Sequence, residues 1–471
     1  MRRKKKRERA NNLEELTLEK NIFLEKSICG ITKMLSEGRI TPEEIAEECL
    51  KRIEKYNDKY NVFVIYDREN LLKQAEKISQ RIKAGNKIRR LEGIPAGIKD
   101  IFNTYDFPTQ MGSPLWKNFT SGNDSRVIFY LKQEGAVIPG KTDTAEFAVH
   151  AIGNCLNPHD ITKTPGTSSS GSAVAVSLGM VPFSIGTQTA GSIVRPASFC
   201  GVYGCKPSFG LIPRTGMLKT TDSLDTIGFF ASKYEDIETI FDIMRVHGSN
   251  YPLSHKALTD EVRQNKKAGS KWRVKFAKTH TWDFAPDYAK KEMEDFIEKI
   301  SATDDIEMTD TKLPAVTERS HDVHQMIYDK TLSYYFQEEF KKPEFISPVM
   351  REIFDRGNKI TVEQYHKSLR DQEIISGEVD KYFECTDIII SLSTAGEAPA
   401  REESEEPDPS LMWTLSHLPV VSCPVFVSPS GLPYGVQIAA RKYNDLLLFR
   451  FTDHLRKNGL IPEGVNPVPN I

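Results

Sequence analysis

The central part of the chain alternates between two hydrophobic patterns, and this alternation most limits the folds open to it. Between residues 93 and 230, glycine, proline and other small residues are concentrated, and short apolar runs are interleaved with segments of helical periodicity. Residues 126–133 and 173–178 have the helical pattern, whereas 136–138 have that of a short strand. Strands that alternate with helices predict an α/β sheet with helices on its faces.

The two flanks of this part have simpler patterns. Residues 12–90 predict helices, one of which starts at Thr41 with Pro42 in the first helical position and Glu44 completing a capping box. Residues 271–385 are more charged. They begin with an alternating strand pattern and then have helical patterns that predict a helical cap or insertion. Further on, the patterns predict strands at 387–390, 419–427 and 434–439, an exposed acidic loop at 402–406 and a closing helix at 443–457.

Composition excludes several classes of protein. Lysine and arginine total 63 and aspartate and glutamate 65, so the net charge of −2 gives no field that would attract nucleic acid or an anionic membrane. No apolar run approaches the roughly 20 residues of a membrane span. Seven cysteines without a Cys-x-x-Cys pair predict neither a disulfide framework nor a structural zinc site. We therefore expect a reducing, cytoplasmic setting, no metal and no nucleic-acid partner.

The N-terminus begins with a basic run, residues 1–10, that no apolar segment follows, so it is not a secretory signal. We expect residues 1–26 to be a basic, disordered extension with a leading helix, and 27–465 to form one large domain.

A stretch at 135–142 fits the phosphate-loop pattern G-x-x-x-x-G-K-[ST]. A phosphate loop leaves a strand and opens a helix, so that its N–H groups converge on the phosphate. Here a helical pattern comes first and the strand pattern lies within the motif. The sequence therefore predicts a helix–strand corner and no nucleotide site.

Two serine-containing loops are better candidates for chemistry. Residues 165–172 run directly into a helical pattern, which predicts an ordered loop whose N–H and hydroxyl groups face the helix start. Residues 186–196 place Ser192 after a turn of small residues, where a serine can act as a nucleophile beside an oxyanion hole. Glycine–serine pairs are also common in ordinary turns, so Ser192 alone decides nothing.

A nucleophilic serine needs a base. No histidine lies in a local motif with a serine, and both G-x-S-x-G and S-x-x-K are absent. A lysine kept neutral by burial is the remaining candidate, and Lys99 has the most suitable setting, an apolar, glycine-rich stretch at 93–100. The alternative for Lys99 is an ordinary surface lysine at the end of a strand.

Taken together, these three stretches resemble the amidase signature enzymes. That family combines G-x-P-x-x-[IV]-K-D, P-G-G-S-S-G-G-S and G-[TS]-[DQ]-[TI]-G-G-S…R-x-P, and here Ser192 follows Ser168 by 24 residues, as in the family. The similarity continues at 199–207, 223–228 and 431–437. It covers roughly residues 27–460 and is strongest in the signature core, about 93–230.

The resemblance implies a single large α/β domain in which helices flank both faces of a mixed, twisted sheet, and a triad without cofactor or metal. Ser192 would be the nucleophile, Ser168, in a cis peptide, the proton relay, and Lys99 the neutral base. The oxyanion hole would consist of the backbone N–H groups of Thr189, Ala190, Gly191 and Ser192. Substrate-binding candidates are Arg195, Ser169 and Gln188.

The chain departs from the commonest family pattern at several positions. Thr167, Ser170 and Ala190 stand where glycine is usual. Gln188 replaces the aspartate of many members, and Arg195 lies three residues after Ser192 rather than two. The last two features resemble the malonamidase-type branch and not the amidase-like component of glutamine-dependent tRNA amidotransferases. Arg195 would either bind a substrate carboxylate or anchor its loop through a buried acid or backbone carbonyls.

The expected activity is therefore hydrolysis of a small-molecule linear amide through a serine acyl-enzyme, in class EC 3.5.1 and within it 3.5.1.4. A transamidase subunit that passes ammonia to a tRNA-bound substrate and a catalytically silent scaffold are the alternatives. The sequence does not specify the amide or the oligomeric state, and a homodimer stays open.

Overall fold

The computed structural model describes residues 21–403 and 405–470, and within them eleven strands form one sheet. The strands are β1 (Phe63–Tyr66), β2 (Ala96–Lys99), β3 (Gly140–Thr142), β4 (Phe183–Gln188), β5 (Tyr203–Lys206), β6 (Thr226–Ala231), β7 (Trp272–Ala277), β8 (Ile306–Thr311), β9 (Ile388–Leu392), β10 (Val420–Val427) and β11 (Pro433–Ala440). Their order across the sheet is β1-β3-β2-β4-β6-β5-β10-β11-β9-β7-β8.

Helices pack on both faces of this sheet, which confirms the predicted fold class. They are α1 (Ile22–Glu25), α2 (Ile28–Ser36), α3 (Pro42–Tyr60), α4 (Arg68–Lys83), α5 (Arg126–Gln133), α6 (Ser170–Ser177), α7 (Val194–Cys200), α8 (Ile237–Met244), α9 (Pro252–Thr259), α10 (Glu261–Gln264), α11 (Asp287–Ser301), α12 (Ser320–Tyr335), α13 (Pro348–Lys359), α14 (Val362–Tyr382), α15 (Leu411–Leu415) and α16 (Asp445–Lys457). No helix in this described part of the chain is long and apolar enough to cross a bilayer.

The sheet is mixed, and its parallel part positions the site. Strand β2 pairs in parallel with β3 on one side and with β4 on the other. Strand β4 then pairs antiparallel with β6, and both are buried along their whole length. Because the carboxyl ends of parallel neighbours meet at one edge, the residues that end β2 and the loop that follows β4 leave the sheet side by side.

Several local predictions are confirmed. The Thr41 hydroxyl accepts a hydrogen bond from the N–H of Glu44, whose carboxylate accepts one from the Thr41 N–H, so the capping box forms. Helix α5 precedes β3, which confirms the helix–strand corner at the phosphate-loop-like motif. The side chain of Lys141 in that motif is buried, with its Nζ 3.1 Å from Asp100 Oδ1 and 2.8 Å from the Phe102 carbonyl.

Three predictions need correction. The strand expected at 136–138 lies at 140–142 instead, and Val137 makes only an isolated bridge to Pro95. Pro139 has no N–H for a ladder hydrogen bond, which explains the interruption. In the region 271–385 the strand predicted at its start is confirmed as β7, but the region also contains a second strand, β8, that was not predicted; both extend the main sheet in parallel with β9.

The third correction concerns the acidic loop at 402–406, which is exposed at Glu402, Glu403 and Glu406 as predicted, but not at Glu405. Glu405 is an ion-pair partner of Arg195, and Asp408, just beyond, is buried. Net charge along the sequence predicted solvation, but the buried guanidinium of Arg195 draws both carboxylates inward. Of the predicted N-terminal extension, residues 1–20 lie outside the described residues.

Candidate active site

Lys99, the last residue of β2, is fully buried among hydroxyl groups. Its Nζ lies 2.7 Å from Ser168 Oγ, 2.9 Å from Ser169 Oγ and 3.0 Å from Thr187 Oγ1. Ser168 and Ser169 come from the loop before α6, and Thr187 from the neighbouring strand β4. The parallel pairing of β2 with β4 therefore brings the lysine to the serine-rich loop.

Burial dominates the electrostatics of Lys99. It lowers the pKa of the ammonium group to about 7, against the opposing effect of the Asp225 carboxylate, which raises it. A charged ammonium loses its hydration in this site, whereas the neutral amine loses much less. The neutral amine is therefore far more populated near neutral pH at Lys99 than in a solvent-exposed lysine.

Ser168 follows a cis peptide bond between Thr167 and Ser168. Its side chain is directed at Lys99, and its carbonyl accepts a hydrogen bond of 3.1 Å from the Thr144 hydroxyl. Ser168 itself is only 1% exposed. These contacts hold the loop at the start of α6 against the end of β2.

Ser192 lies between the end of β4 and the start of α7, and it is 7% exposed. Within the described residues, the N–H groups of Thr189, Ala190, Gly191 and Ser192 donate to no backbone carbonyl. Buried N–H groups without an acceptor are uncommon in folded proteins. This row of free donors beside a serine is the geometry that an anionic oxygen would complete.

A side chain at position 191 would force the side chain of Asp408 to move. A Cβ added to Gly191 would overlap the carboxylate of Asp408, which approaches the backbone there. Ala190, the preceding residue, carries its methyl group and is partly exposed. The alanine that departs from the family pattern is thus accommodated.

Two of the predicted substrate-binding residues point into the protein. Ser169 is fully buried, and its hydroxyl donates to the Thr187 carbonyl at 3.1 Å. Gln188 is also fully buried; its Oε1 accepts from the N–H groups of Ile193 and Val194 at 2.8 and 3.0 Å. Gln188 therefore caps the turn that carries the nucleophile candidate.

Arg195 has the surroundings of a loop anchor. One terminal nitrogen, Nη1, lies 2.8 Å from Glu405 Oε2 and 3.1 Å from Asp408 Oδ2, and Nη2 donates to the Thr167 carbonyl at 2.9 Å. Burial alone would lower the pKa of Arg195, but the two carboxylates outweigh it and the pKa is raised. The guanidinium thus joins the cis-peptide loop to the acidic loop at 405–408.

Two further side chains contact the loop before Ser192, and sequence analysis missed both. His324 Nε2 donates to the Thr189 carbonyl at 2.8 Å, and the Thr414 hydroxyl donates to the Ala190 carbonyl at 2.7 Å. They lie more than 100 residues further along the chain, on α12 and α15. No local pattern links them to Ser192, so only the fold could reveal them.

A family model described as Amidase matches residues 44–449, most of the chain. The chain belongs to the amidase family. The A component of the glutamyl-tRNA(Gln) amidotransferase from Staphylococcus epidermidis is 28% identical over 90% of this chain and 95% of its own length. These matches confirm the predicted family without separating its branches, so the malonamidase-type assignment stays a prediction.

Solved structures agree with this amidase assignment. A chain described in connection with a vestigial protein complex and the evolutionary origins of an s-triazine catabolic enzyme superposes with a TM-score of 0.82 at 25% identity, covering 93% of this chain and 100% of that one. The A component of the glutamyl-tRNA(Gln) amidotransferase from Thermotoga maritima gives a TM-score of 0.77 at 25% identity, over 95% of this amidase and 98% of that chain.

Proposed function

We propose that this amidase hydrolyses a small linear carboxylic amide, as in EC 3.5.1.4, through an acyl-enzyme on Ser192. The observation that carries the proposal is the buried Lys99 amine, 2.7 Å from Ser168 Oγ and with a pKa lowered to about 7. A base with a pKa near the working pH transfers protons most effectively.

Hydrogen-bond counting assigns the lone pair of a neutral Lys99. Ser169 donates its proton to the Thr187 carbonyl, so its oxygen accepts from Nζ. If the Thr187 hydroxyl accepts the second N–H, the lone pair of the amine faces the Ser168 hydroxyl. In this arrangement the proton of Ser168 is the one that Lys99 is placed to take.

The proposed reaction follows from these roles. Ser192 Oγ attacks the amide carbon as its proton passes to Ser168, whose own proton goes to Lys99. The developing oxyanion is bound by the free N–H groups of residues 189–192, and the returning proton leaves with the ammonia or amine. Water then attacks the ester carbon as its proton passes through Ser168 to Lys99. The ester C–O bond breaks, Ser192 takes the proton back through Ser168, and the acid leaves.

The surroundings of Arg195 favour a substrate without a carboxylate. A cavity of about 210 Å³ borders this arginine, with walls that include Phe199, Tyr288, Glu405 and Asp408. Since the guanidinium already holds two carboxylates, a third negative charge would meet repulsion there. We therefore assign Arg195 to loop anchoring and favour neutral amides.

Covalent labelling with a fluorophosphonate tests the nucleophile. Ser192 Oγ would bond to phosphorus as fluoride leaves, and mass spectrometry would locate the adduct. Ser192→Ala should lose both labelling and ammonia release from an amide panel. Ser391→Ala on β9 should keep both, because its buried hydroxyl has no hydrogen-bond partner among the described residues. Unchanged labelling of Ser192→Ala would contradict the proposal, and an unlabelled wild type would favour a silent scaffold.

A transamidase is the second candidate, because similar proteins are the A components of glutamyl-tRNA(Gln) amidotransferases. In that case the chain would release ammonia from glutamine for transfer to a tRNA-bound substrate within a complex. Affinity purification from the native cell followed by RNA analysis distinguishes the two. Co-purifying protein partners and tRNA, with amide hydrolysis only in their presence, would support the transamidase.

A further inference from the structure

Three consecutive carbonyl groups before Ser192 are each held by a donor. The Thr189 carbonyl accepts from His324 Nε2 at 2.8 Å, and the Ala190 carbonyl accepts from Thr414 Oγ1 at 2.7 Å. The Gly191 carbonyl accepts from the N–H of Arg195 at 2.9 Å, within the turn that opens α7. The first two donors are side chains of other helices, and only the third is local.

Holding a carbonyl also aims the next N–H group. In a planar trans peptide, the C=O of one residue and the N–H of the next point in opposite directions. Donation by His324 to the Thr189 carbonyl therefore turns the Ala190 N–H away from α12. Donation by Thr414 likewise turns the Gly191 N–H away from α15, and both N–H groups are among the free donors beside Ser192.

The surroundings of His324 fix its hydrogen bond. The ring is 5% exposed and stacks on Tyr328, one turn further along α12, with centroids 5.6 Å apart. Burial lowers the pKa of His324 to about 4, so the ring is neutral at neutral pH. Because a carbonyl oxygen only accepts, the single ring proton lies on Nε2 and donates to Thr189.

The Thr414 hydroxyl is fixed in the same way. Its oxygen accepts a hydrogen bond of 2.9 Å from Gln188 Nε2, which leaves its own proton for the Ala190 carbonyl. The orientation of the Gln188 amide is set in turn by its Oε1, which accepts from the N–H groups of Ile193 and Val194. The Thr414 hydroxyl is therefore oriented by Gln188, which also caps the turn that carries Ser192.

We propose that His324 and Thr414 are positioning residues that aim the N–H groups of Ala190 and Gly191 at the oxyanion. This inference rests on the proposed function, since it needs Ser192 as the nucleophile. Neither side chain need touch the substrate. Both act on the peptide planes before the oxyanion forms, and preorganisation of this kind stabilises the transition state more than the bound substrate.

The expected loss of rate can be estimated from the effect of removing an oxyanion-hole donor. Removing one oxyanion-hole donor from a hydrolase typically lowers kcat by about 100- to 1000-fold. A peptide plane that rotates without its side-chain partner loses part of that interaction, so we expect about a 10- to 100-fold loss for each residue. The loss should appear in the chemical step and leave affinity for the reagent unchanged.

Fluorophosphonate labelling tests the inference without knowledge of the natural substrate. The phosphoryl oxygen occupies the proposed oxyanion hole as Ser192 displaces fluoride. The maximal labelling rate, kinact, therefore depends on how well the N–H groups are oriented towards that oxygen. The variants form two matched pairs: His324→Leu and Thr414→Val remove the donor, whereas His324→Gln and Thr414→Ser retain one. We expect kinact to fall about 10- to 100-fold in His324→Leu and Thr414→Val and to be largely restored in His324→Gln and Thr414→Ser. The reagent concentration for half-maximal labelling, KI, and the melting temperature should be the same within each pair.

Each other outcome has a definite meaning. A kinact within twofold of wild type in both His324→Leu and Thr414→Val overturns the inference. So does a loss in KI alone, or an equal loss in the donor-retaining variants, because neither follows from donor aim. If Ser192→Ala is labelled as fast as wild type, the proposed function fails first, and the inference falls with it for a separate and recognisable reason.

Discussion

Deprotonation of Lys99 should control the pH dependence of acylation. The base must be neutral to accept a proton, and burial lowers the pKa of Lys99 to about 7. The rate of Ser192 labelling should therefore rise with pH, reach half its maximum near pH 7 and level off above about pH 8. The rate rises and does not fall with pH, because Lys99 is inactive as a base when it is protonated.

The magnitude follows from the fraction of neutral amine. With a pKa of about 7, roughly 1% of Lys99 is neutral at pH 5, so the rate should be about 100-fold below its plateau. An ordinary lysine with a pKa near 10.4 would be only about 0.04% neutral at pH 7 and would show no plateau before about pH 10. The two profiles differ above about pH 6, where only the first bends towards a plateau.

The assay is the fluorophosphonate labelling rate between pH 4.5 and 9, with a thermal melt at each pH to confirm folding. Lys206 provides a matched control, because burial also lowers its pKa, to about 8, whereas its hydrogen bonds in the described structure go to the backbone carbonyls of Pro207 and Leu418. Lys206→Gln should keep the midpoint near pH 7. Lys99→Arg should lose labelling, since a guanidinium stays protonated.

Three results would refute this account of Lys99. A flat profile between pH 5 and 8 would show that no group with a pKa near 7 limits acylation. Near wild-type labelling by a folded Lys99→Arg variant would show that another group is the base. A midpoint that moves in Lys206→Gln would show that the titration had been assigned to the wrong lysine.

Substitutions at three other positions, Ser192, Gly191 and Arg195, have definite expected outcomes. Ser192→Ala should lower turnover by several orders of magnitude with an unchanged melting temperature, because no core volume is lost; retained turnover would contradict the nucleophile assignment. Gly191→Ala should abolish labelling, since its Cβ would overlap Asp408, whereas Ala190→Gly at the neighbouring position should be tolerated, and comparable rates in the two variants would refute this. Arg195→Ala should cost about 3 kcal/mol of stability by leaving two carboxylates without their cation. Chemical denaturation measures that loss, and rates on one charged and one neutral amide of similar size should fall equally; a selective loss on the charged amide would restore the substrate-binding role.

The sequence predicted the fold class because the signals were local. The alternation of short apolar runs with helical patterns indicated the sheet, and Thr41 with Glu44 marked a helix start that the structure confirms. The order of the eleven strands was not predictable, since it depends on pairings such as β5 with β10, which join residues more than 200 apart. The alternating pattern at 272–276 predicted β7, whereas β8 was missed because its sequence is rich in charged and polar residues.

The candidate site was predictable only in part, for a related reason. Lys99, Ser168 and Ser169 were identified through motifs, and the structure places both serine hydroxyls within 2.9 Å of Lys99 Nζ. Their catalytic roles stay a prediction. The burial that lowers the pKa of Lys99 depends on both neighbouring strands, so the motif suggested a base without explaining why it would be neutral.

The two halves of the site are held by different means, and this difference explains what sequence patterns can and cannot identify. Lys99 belongs to a strand that is hydrogen-bonded on both sides, so backbone pairing alone fixes its position. In the loop before Ser192, the N–H groups of residues 189–192 donate to no backbone carbonyl in the described part of the chain, as the proposed oxyanion hole requires, so the loop lacks the backbone bonds that would hold it. The loop is held instead through its carbonyl groups, two of which accept hydrogen bonds from side chains on α12 and α15. A loop proposed to bind an oxyanion through free donors thus needs contacts from elsewhere in the chain, and in this amidase the residues that make them, His324 and Thr414, lie far from the motifs.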